Sequence, residues 1–209
     1  MTVTTVFATA PGGNGYVNSV NTTYATARTG GTLLVGDLHL VGQIFATPNY
    51  QCLESFLIFD TSGIPDTDTV SAVVLSLYGA SDVSTTDFNT IAAASSYNGG
   101  AVVTGDWVSG ASLPTPSLAT WNSSGYLANY NAFTSTGDFP AAIVKTGNTS
   151  LILYSDRHQA GTAPTGNEYV VFVDADQAGT AADPKLAITH AAAGVVGTVF
   201  KTPIFPGVR

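Results

Sequence analysis

The chain has 209 residues, of which 44% are hydrophobic and only 10% are charged, and its mean hydropathy is +0.24. This composition excludes an intrinsically disordered chain, which combines low hydropathy with high net charge, and favours one folded domain. Six Lys and Arg residues against 14 Asp and Glu residues give a net charge of -8, which argues against nucleic acid and against anionic membranes as partners. Cys52 is the only cysteine, so an intramolecular disulfide framework and a multi-cysteine zinc site are also excluded.

The N-terminal residues 1–13 end in a glycine-rich turn that continues to Gly15. They have neither the basic region nor the apolar region of a secretory signal, so we do not expect one. We predict that residues 1–13 form an N-terminal arm, followed by a β-sandwich domain over residues 14–190.

Seven short segments rich in β-branched and aromatic residues are separated by turn clusters, while good helix formers are sparse. The predicted strands are residues 32–35, 53–59, 70–78, 88–94, 150–154, 169–173 and 185–189. This spacing is typical of an all-β protein, and we predict a two-sheet antiparallel β sandwich. Alternation within the strands predicts the residues that face the core, which are Phe56, Ile58, Val73, Leu75, Leu77, Leu151, Leu153, Leu186 and Ile188.

Residues 95–137 are rich in Gly, Ser, Pro and aromatic residues and are too long for an ordinary connection. They are either functional or contain strands that the pattern does not show. Four aromatic residues of this stretch are candidates for stacking on sugar rings, and the alternative is that they fill the core. These are Trp107, Trp121, Tyr126 and Tyr130.

The patterns of common catalytic sites are missing from the sequence. His39, His158 and His190 are far apart and lack metal-ligand spacing, and neither a G-x-S-x-G motif nor a phosphate-binding loop occurs. Cys52 lacks the flanking sequence of a catalytic cysteine. We therefore predict that the chain is not an enzyme and needs no cofactor.

Two groups of carboxylates lie in loops that are rich in oxygen ligands. Asp60, Asp66 and Asp68 surround a turn, and Asp174 and Asp176 follow a predicted strand. Such loops can bind Ca²⁺, although neither follows the known calcium-loop pattern, and capping of turns or solvation is the alternative interpretation.

The C-terminal residues 191–209 contain two prolines among apolar residues, which favours extended backbone and excludes a helix. We predict a C-terminal arm that contacts neighbouring subunits through Val199, Phe200, Ile204 and Phe205, and the alternative is that it docks onto the chain's own domain.

A family resemblance covers residues 14–190. Residues 56–65 read FLIFDTSGIP, residues 70–77 read VSAVVLSL, and residues 183–188 read DPKLAI. This order resembles the DNRLRE-type jelly-roll domains, in which an FDxSxIP turn is followed by an A-x-L-x-L strand. The resemblance implies a jelly roll without enzymatic activity, of the kind found in secreted polysaccharide-active and surface proteins and in the virions of tailed bacteriophages.

Together, these features predict a virion structural protein of a tailed phage, either a capsid decoration or a tail-associated protein. Its expected partners are other virion subunits or further copies of itself, and surface glycans are a possible additional ligand. The alternative prediction is a carbohydrate-binding module or adhesin domain of an extracellular protein.

Overall fold

The computed structural model describes residues 1–9, 14–175 and 179–193, and strands dominate these ranges. All seven predicted strands are present, and six further strands occur within the described residues. The strands are β1 (Thr2–Phe7), β2 (Gly15–Asn21), β3 (Thr32–Gly36), β4 (His39–Ala46), β5 (Asn49–Asp60), β6 (Asp68–Asp82), β7 (Asn89–Ala94), β8 (Ala119–Asn122), β9 (Tyr130–Ala132), β10 (Thr134–Ser135), β11 (Asn148–Ser155), β12 (Asn167–Phe172) and β13 (Lys185–Ala192). Two short helices, α1 (Tyr24–Gly30) and α2 (Asp156–Ala160), complete the regular structure, with 3-10 turns at Thr104–Asp106, Ser123–Gly125 and Pro140–Ala142.

The prediction of an all-β protein is therefore confirmed, and every strand pairing among the described residues is antiparallel. Ten of the described strands form one hydrogen-bonded path, in the order β1-β13-β6-β12-β4-β5-β11-β7-β8-β10, rather than two separate sheets. The other three attach to it, with β2 paired to β5 and β3, and β9 paired to β6. The path is continuous because the long strand β6 pairs with β13 along its first half and with β12 at its end.

Strand β5 is the branch point of the path. One of its edges pairs with β2, and the opposite edge pairs first with β4 and then with β11. The change of partner falls between Leu53, which pairs with β4, and Ser55, which pairs with β11. Glu54 lies between them, so this residue occupies the point where the two partner strands diverge.

The main hydrophobic core lies between β6 and β13 on one side and β5, β7 and β11 on the other. All nine residues predicted to face the core are buried. Seven of them belong to this cluster, which gives the fold its sandwich-like interior.

The other two, Phe56 and Ile58, lie on the opposite face of β5, in a second apolar cluster with Ile152 and Tyr154 of β11. Strands β5 and β11 are therefore buried on both faces. The second face is covered in part by the loop that contains Trp107 and Val108.

The N-terminal arm requires a correction. Residues 2–7, assigned to an arm from the sequence, form the edge strand β1, which pairs with β13 from Thr2 opposite His190 to Phe7 opposite Lys185. The uncharged sequence TVTTVF has the β-branched residues that suit a strand, but its only flanking signal is a glycine-rich turn.

The stretch of residues 95–137 contains the short strands β8, β9 and β10 and the loop that covers the second cluster. The stretch therefore contains strands that the sequence pattern did not show, and the alternative, that it is functional, stays a prediction.

Candidate functional site

The four aromatic candidates do not converge on one site. Trp121 is 9% exposed and packs in the main core against Phe133 and Phe172, with ring centroids 6.0 and 5.5 Å away. Tyr126 packs against the same core. These two rings fill the interior, which was the alternative interpretation of the sequence.

Tyr130 has a structural environment of its own. Its hydroxyl donates to the Asp183 carbonyl oxygen over 2.9 Å, and the Lys185 ammonium group lies 3.5 Å from its ring centroid. Its ring also meets Tyr78 edge-on at 5.4 Å. These contacts tie β9 to the loop before β13.

Trp107 is the candidate that lines a cavity. The cavity has a volume of about 280 Å³ and lies against Phe56 of β5. Its wall combines two aromatic residues with hydroxyl, amide and carboxylate groups, contributed by Ser95, Ser96, Tyr97, Asn98, Asp106 and Trp107. Polar groups make up most of the surface that this cavity exposes.

Behind Trp107 lies a buried pair of ionisable side chains, Glu54 and His158. Both side chains are 0% exposed, and the Glu54 Oε1 and His158 Nδ1 atoms are 3.7 Å apart. The indole of Trp107 stacks on the imidazole with centroids 5.5 Å apart. The backbone N–H of Val108 donates to Glu54 Oε2 over 3.0 Å.

Burial shifts both groups of this pair towards their uncharged forms. It raises the pKa of Glu54 well above its ordinary value, an effect that the Val108 N–H opposes in part. Burial also lowers the pKa of His158 to about 4. The pair is enclosed, and its visible role is to hold the Trp107 loop on the sheet.

Arg28 of α1 connects α2, which contains His158, with the loop that contains Gly110. Its guanidinium donates to the carbonyl oxygens of His158, Gln159 and Gly110, and the Gly110 N–H donates back to the Arg28 carbonyl. A Cβ at Gly110 would lie 2.7 Å from His158 Nε2, so only glycine permits this close approach.

A second buried carboxylate, Glu168 of β12, is fully paired. Arg157 of α2 binds both of its oxygens, over 2.7 and 3.2 Å, and the Gln43 side-chain amide donates to it over 3.3 Å. The Tyr24 hydroxyl in turn donates to Gln43 Oε1. This network fixes α1 and α2 to β4 and β12.

The predicted calcium ligands occupy separate local structures. Asp60 Oδ1 accepts hydrogen bonds from the N–H and hydroxyl of Ser62, which also lower its pKa, and Asp68 Oδ2 lies 2.6 Å from His190 Nδ1. Asp66 is exposed, Asp174 is buried, and Asp176 lies outside the described residues. Within residues 1–9, 14–175 and 179–193, no group of three or more His, Cys, Asp or Glu side chains is placed to bind a metal.

Removal of divalent cations is therefore expected to leave the melting temperature unchanged within a degree or two. The Asp60 carboxylate already caps its own turn, and Asp68 is held by His190. Calorimetry with and without EDTA measures this. A large decrease with EDTA would show that one of the two loops binds a structural ion.

Acid is expected to destabilise the protein through its buried histidines. His39 is fully buried, and burial lowers its pKa to about 3. Below pH 6.5, His39 takes up a proton in the unfolded chain but stays neutral in the folded chain, and this difference favours unfolding. The contribution of His39 to the free energy of unfolding is therefore fully present above pH 6.5 and is lost as the pH falls towards 3. His158 likewise lowers the stability as the pH falls from 6.5 to about 4. Glu54, whose pKa is raised, instead favours the folded state as the pH falls.

The variant His39→Leu is expected to reduce this acid dependence by roughly 1.4 kcal/mol per pH unit. Urea unfolding of both proteins at several pH values between 6.5 and 4 measures the difference in slope. Parallel stability curves for the two proteins would show that His39 is protonated in the folded state.

The predicted assembly contacts Val199, Phe200, Ile204 and Phe205 lie outside the described residues. The sequence analysis did not select Glu54 or His158 as partners. The sequence feature that could have pointed to Glu54 is that it is the single carboxylate within the apolar residues 53–59.

No protein-family model matches the sequence, and a search of curated proteins finds no match. Among the described residues, none of the helices has the length and apolar character that a membrane crossing requires.

Proposed function

We propose that this chain is a non-enzymatic structural subunit of a virion, of the kind found in tailed phages, and that its chain ends attach it to neighbouring subunits. The jelly-roll topology and the relation to DNRLRE-type domains are parts of this proposal. Its support comes from the position of the two chain ends and from the character of the sheet edge beside them.

The observation that carries the proposal is that both ends of the described chain leave the fold at one place. Thr2 pairs with His190, so Met1 lies beside the end of β13, from which residues 194–209 continue. His190 links three strands here, because its two ring nitrogens lie 2.9 Å from Thr4 Oγ1 on β1 and 2.6 Å from Asp68 Oδ2 on β6.

The edge beside these ends is open and uncharged. Strand β1 pairs only with β13 among the described residues, it contains neither proline nor a charged residue, and Val3 is 62% exposed. Most proteins protect such an edge with charges or bulges, because it can pair with another chain. A subunit that joins its neighbours by strand pairing requires an unprotected edge of this kind.

Negative-stain electron microscopy of the purified full chain tests the proposal. Ordered oligomers or lattices are expected. A field without any assembly at high protein concentration, together with hydrolysis of a polysaccharide substrate, would favour an enzyme instead.

A second candidate function, glycan binding, is favoured by the cavity beside Trp107. The Trp107 side chain lies in the cavity wall, and Asp106 and Asn98 supply groups that can hydrogen-bond sugar hydroxyls. The cavity is small, which suits one sugar ring better than an extended chain.

The variant Trp107→Ala is expected to weaken binding to any glycan identified on an array by about tenfold. Tyr126→Ala is the matched control, because this aromatic residue of the same stretch packs on the core outside the cavity. Isothermal titration calorimetry measures both variants. Equal losses in both, or no glycan bound at all, would remove this second function.

A further inference from the structure

A groove runs along strand β6 on the edge opposite β13. It consists of two adjoining cavities of about 430 Å³ each, which share Gly137 and Pro140 in their walls. One side of the groove is formed by residues 68–74 of β6, and the other side is formed by residues of the segment 133–145. We call it the β6 groove.

The groove follows a strand edge that is partly unpaired. Phe133 N donates to the Leu75 carbonyl over 2.9 Å, and the Ser135 hydroxyl donates to the Val73 carbonyl. At the other end, Lys145 Nζ donates to the Asp68 carbonyl over 2.7 Å. Between these anchors, no strand of the described residues pairs with β6 on this edge, so an extended segment has space beside it.

The lining of the groove is mainly apolar. Val73 and Val74 contribute apolar side chains from the β6 side, where Val74 is 38% exposed, and Phe133, Pro140 and Ile143 contribute them from the opposite side. A groove of this kind suits an extended peptide that carries several apolar side chains and pairs its backbone with a strand edge.

The chain itself contains such a peptide, and it begins close to the groove. Ala192 pairs with Asp68, which lines the groove, and Ala193 N donates to the Thr67 carbonyl over 3.3 Å. Residues 194–209 follow directly and contain Val199, Phe200, Ile204 and Phe205 between prolines and glycines.

Charge also favours this peptide. Residues 194–209 contain two of the six basic residues of the chain, Lys201 and Arg209, and none of its 14 acidic residues. The remainder of the chain is therefore strongly acidic. At the end of the groove beside Ala192, the carboxylates of Asp66 and Asp68 outnumber the one ammonium group that the described residues place there, that of Lys145, which donates to the carbonyl oxygens of both residues. Opposite charges favour the approach of the C-terminal segment to this surface.

Strand direction indicates which copy of the chain supplies the segment. β13 runs antiparallel to β6 and ends beside Asp68, so the chain's own C-terminal segment would have to reverse around Thr67 and run parallel to β6. Every strand pairing in the described residues is antiparallel, and a segment from another copy can enter in that direction.

We propose that the β6 groove binds the C-terminal segment, residues 194–209, of a second copy of this chain as an added antiparallel strand. This inference rests on the proposed function, and it names the partner and the surface through which the subunits join. Because the donating end and the receiving groove are different surfaces, the contact is heterologous and can continue from copy to copy.

Lysine cross-linking tests the proposal, because the chain has only three lysines and two of them mark the two surfaces. Lys145 lines the groove and Lys201 lies in the segment, whereas Lys185 lies on β13. Full-length protein with natural isotopes is mixed with ¹⁵N-labelled protein and treated with an amine-reactive cross-linker. Mass spectrometry then separates links within one copy from links between copies.

We expect mixed-isotope links between Lys201 and Lys145. Their yield should fall about tenfold or more with Val74→Asp at the rim of the groove, or with an excess of the synthetic peptide of residues 194–209. Leu127→Asp is the control, since Leu127 is 57% exposed and lies away from the groove, and this variant should keep the links.

Links between Lys201 and Lys145 within single copies only would overturn the proposal in favour of intramolecular docking. Mixed-isotope links confined to Lys185 or the N-terminal amine would overturn the groove while leaving self-assembly intact. The absence of any mixed-isotope link would count against both the groove and the proposed function.

Discussion

Replacing Leu75 with alanine is expected to lower the free energy of unfolding by about 2–5 kcal/mol. Leu75 is fully buried at the centre of β6, and it pairs with Leu186 of β13 in the main core. The substitution removes three buried carbon atoms and leaves a cavity that the surrounding sheet can only partly fill. Urea unfolding monitored by circular dichroism measures the loss.

The adjacent residue provides the control. Val74→Ala, at a position that is 38% exposed on the same strand, is expected to change the stability by no more than about 0.5 kcal/mol. Leu75→Asp, by contrast, should prevent folding, because it places an unpaired carboxylate in the core. A folded and stable Leu75→Asp protein would contradict the assignment of this face of β6 to the interior.

Deletion of residues 194–209 is expected to abolish incorporation into particles while leaving the melting temperature close to that of the full chain. Within the described residues, which end at 193, both apolar clusters already contain fully buried side chains, and β13 ends at Ala192. Each large apolar side chain that the segment buries on a neighbour contributes roughly 1.5–3 kcal/mol before the cost of ordering, and repeated contacts in an assembly multiply the effect.

Calorimetry and co-sedimentation with particles measure the two parts of this prediction separately. A truncated chain that still co-sediments at full occupancy would show that attachment depends on other residues. A truncated chain that melts many degrees lower would show that the segment packs on its own domain.

The strands that the sequence predicted are rich in apolar residues, arranged in a run, as in β5, or in alternation with smaller and polar residues, as in β6. β2 and β4 were missed because several of their buried positions are polar. In β2, the Asn18 side chain donates to Gln51 Oε1 over 2.7 Å, and the Ser19 hydroxyl accepts from Gly31 N. In β4, His39 and Gln43 are fully buried. At Asn18, Ser19 and Gln43, hydrogen bonds stabilise the buried side chain where apolar contacts do so in the other strands, and alternation of hydropathy does not reveal such positions.

The candidate site was less accessible to prediction than the fold. Trp107 and Trp121 occur in the same irregular stretch, and only the tertiary structure shows that one lines a cavity while the other fills the core. The pairing of Glu54 with His158 brings together a strand and a helix that are distant in sequence. The carboxylate of Glu54 stands out among the apolar residues 53–59, but the sequence does not show which side chain it contacts. That contact depends on where β4 and β11 diverge beside β5.

The molar mass of the full-length chain in solution tests most directly whether it is an assembly subunit. Light scattering across a series of concentrations is predicted to give a mass that rises above the 21.4 kDa of one chain, while the protein lacking residues 194–209 stays at the mass of one chain. A full-length chain that stays at 21.4 kDa at every concentration would contradict the account.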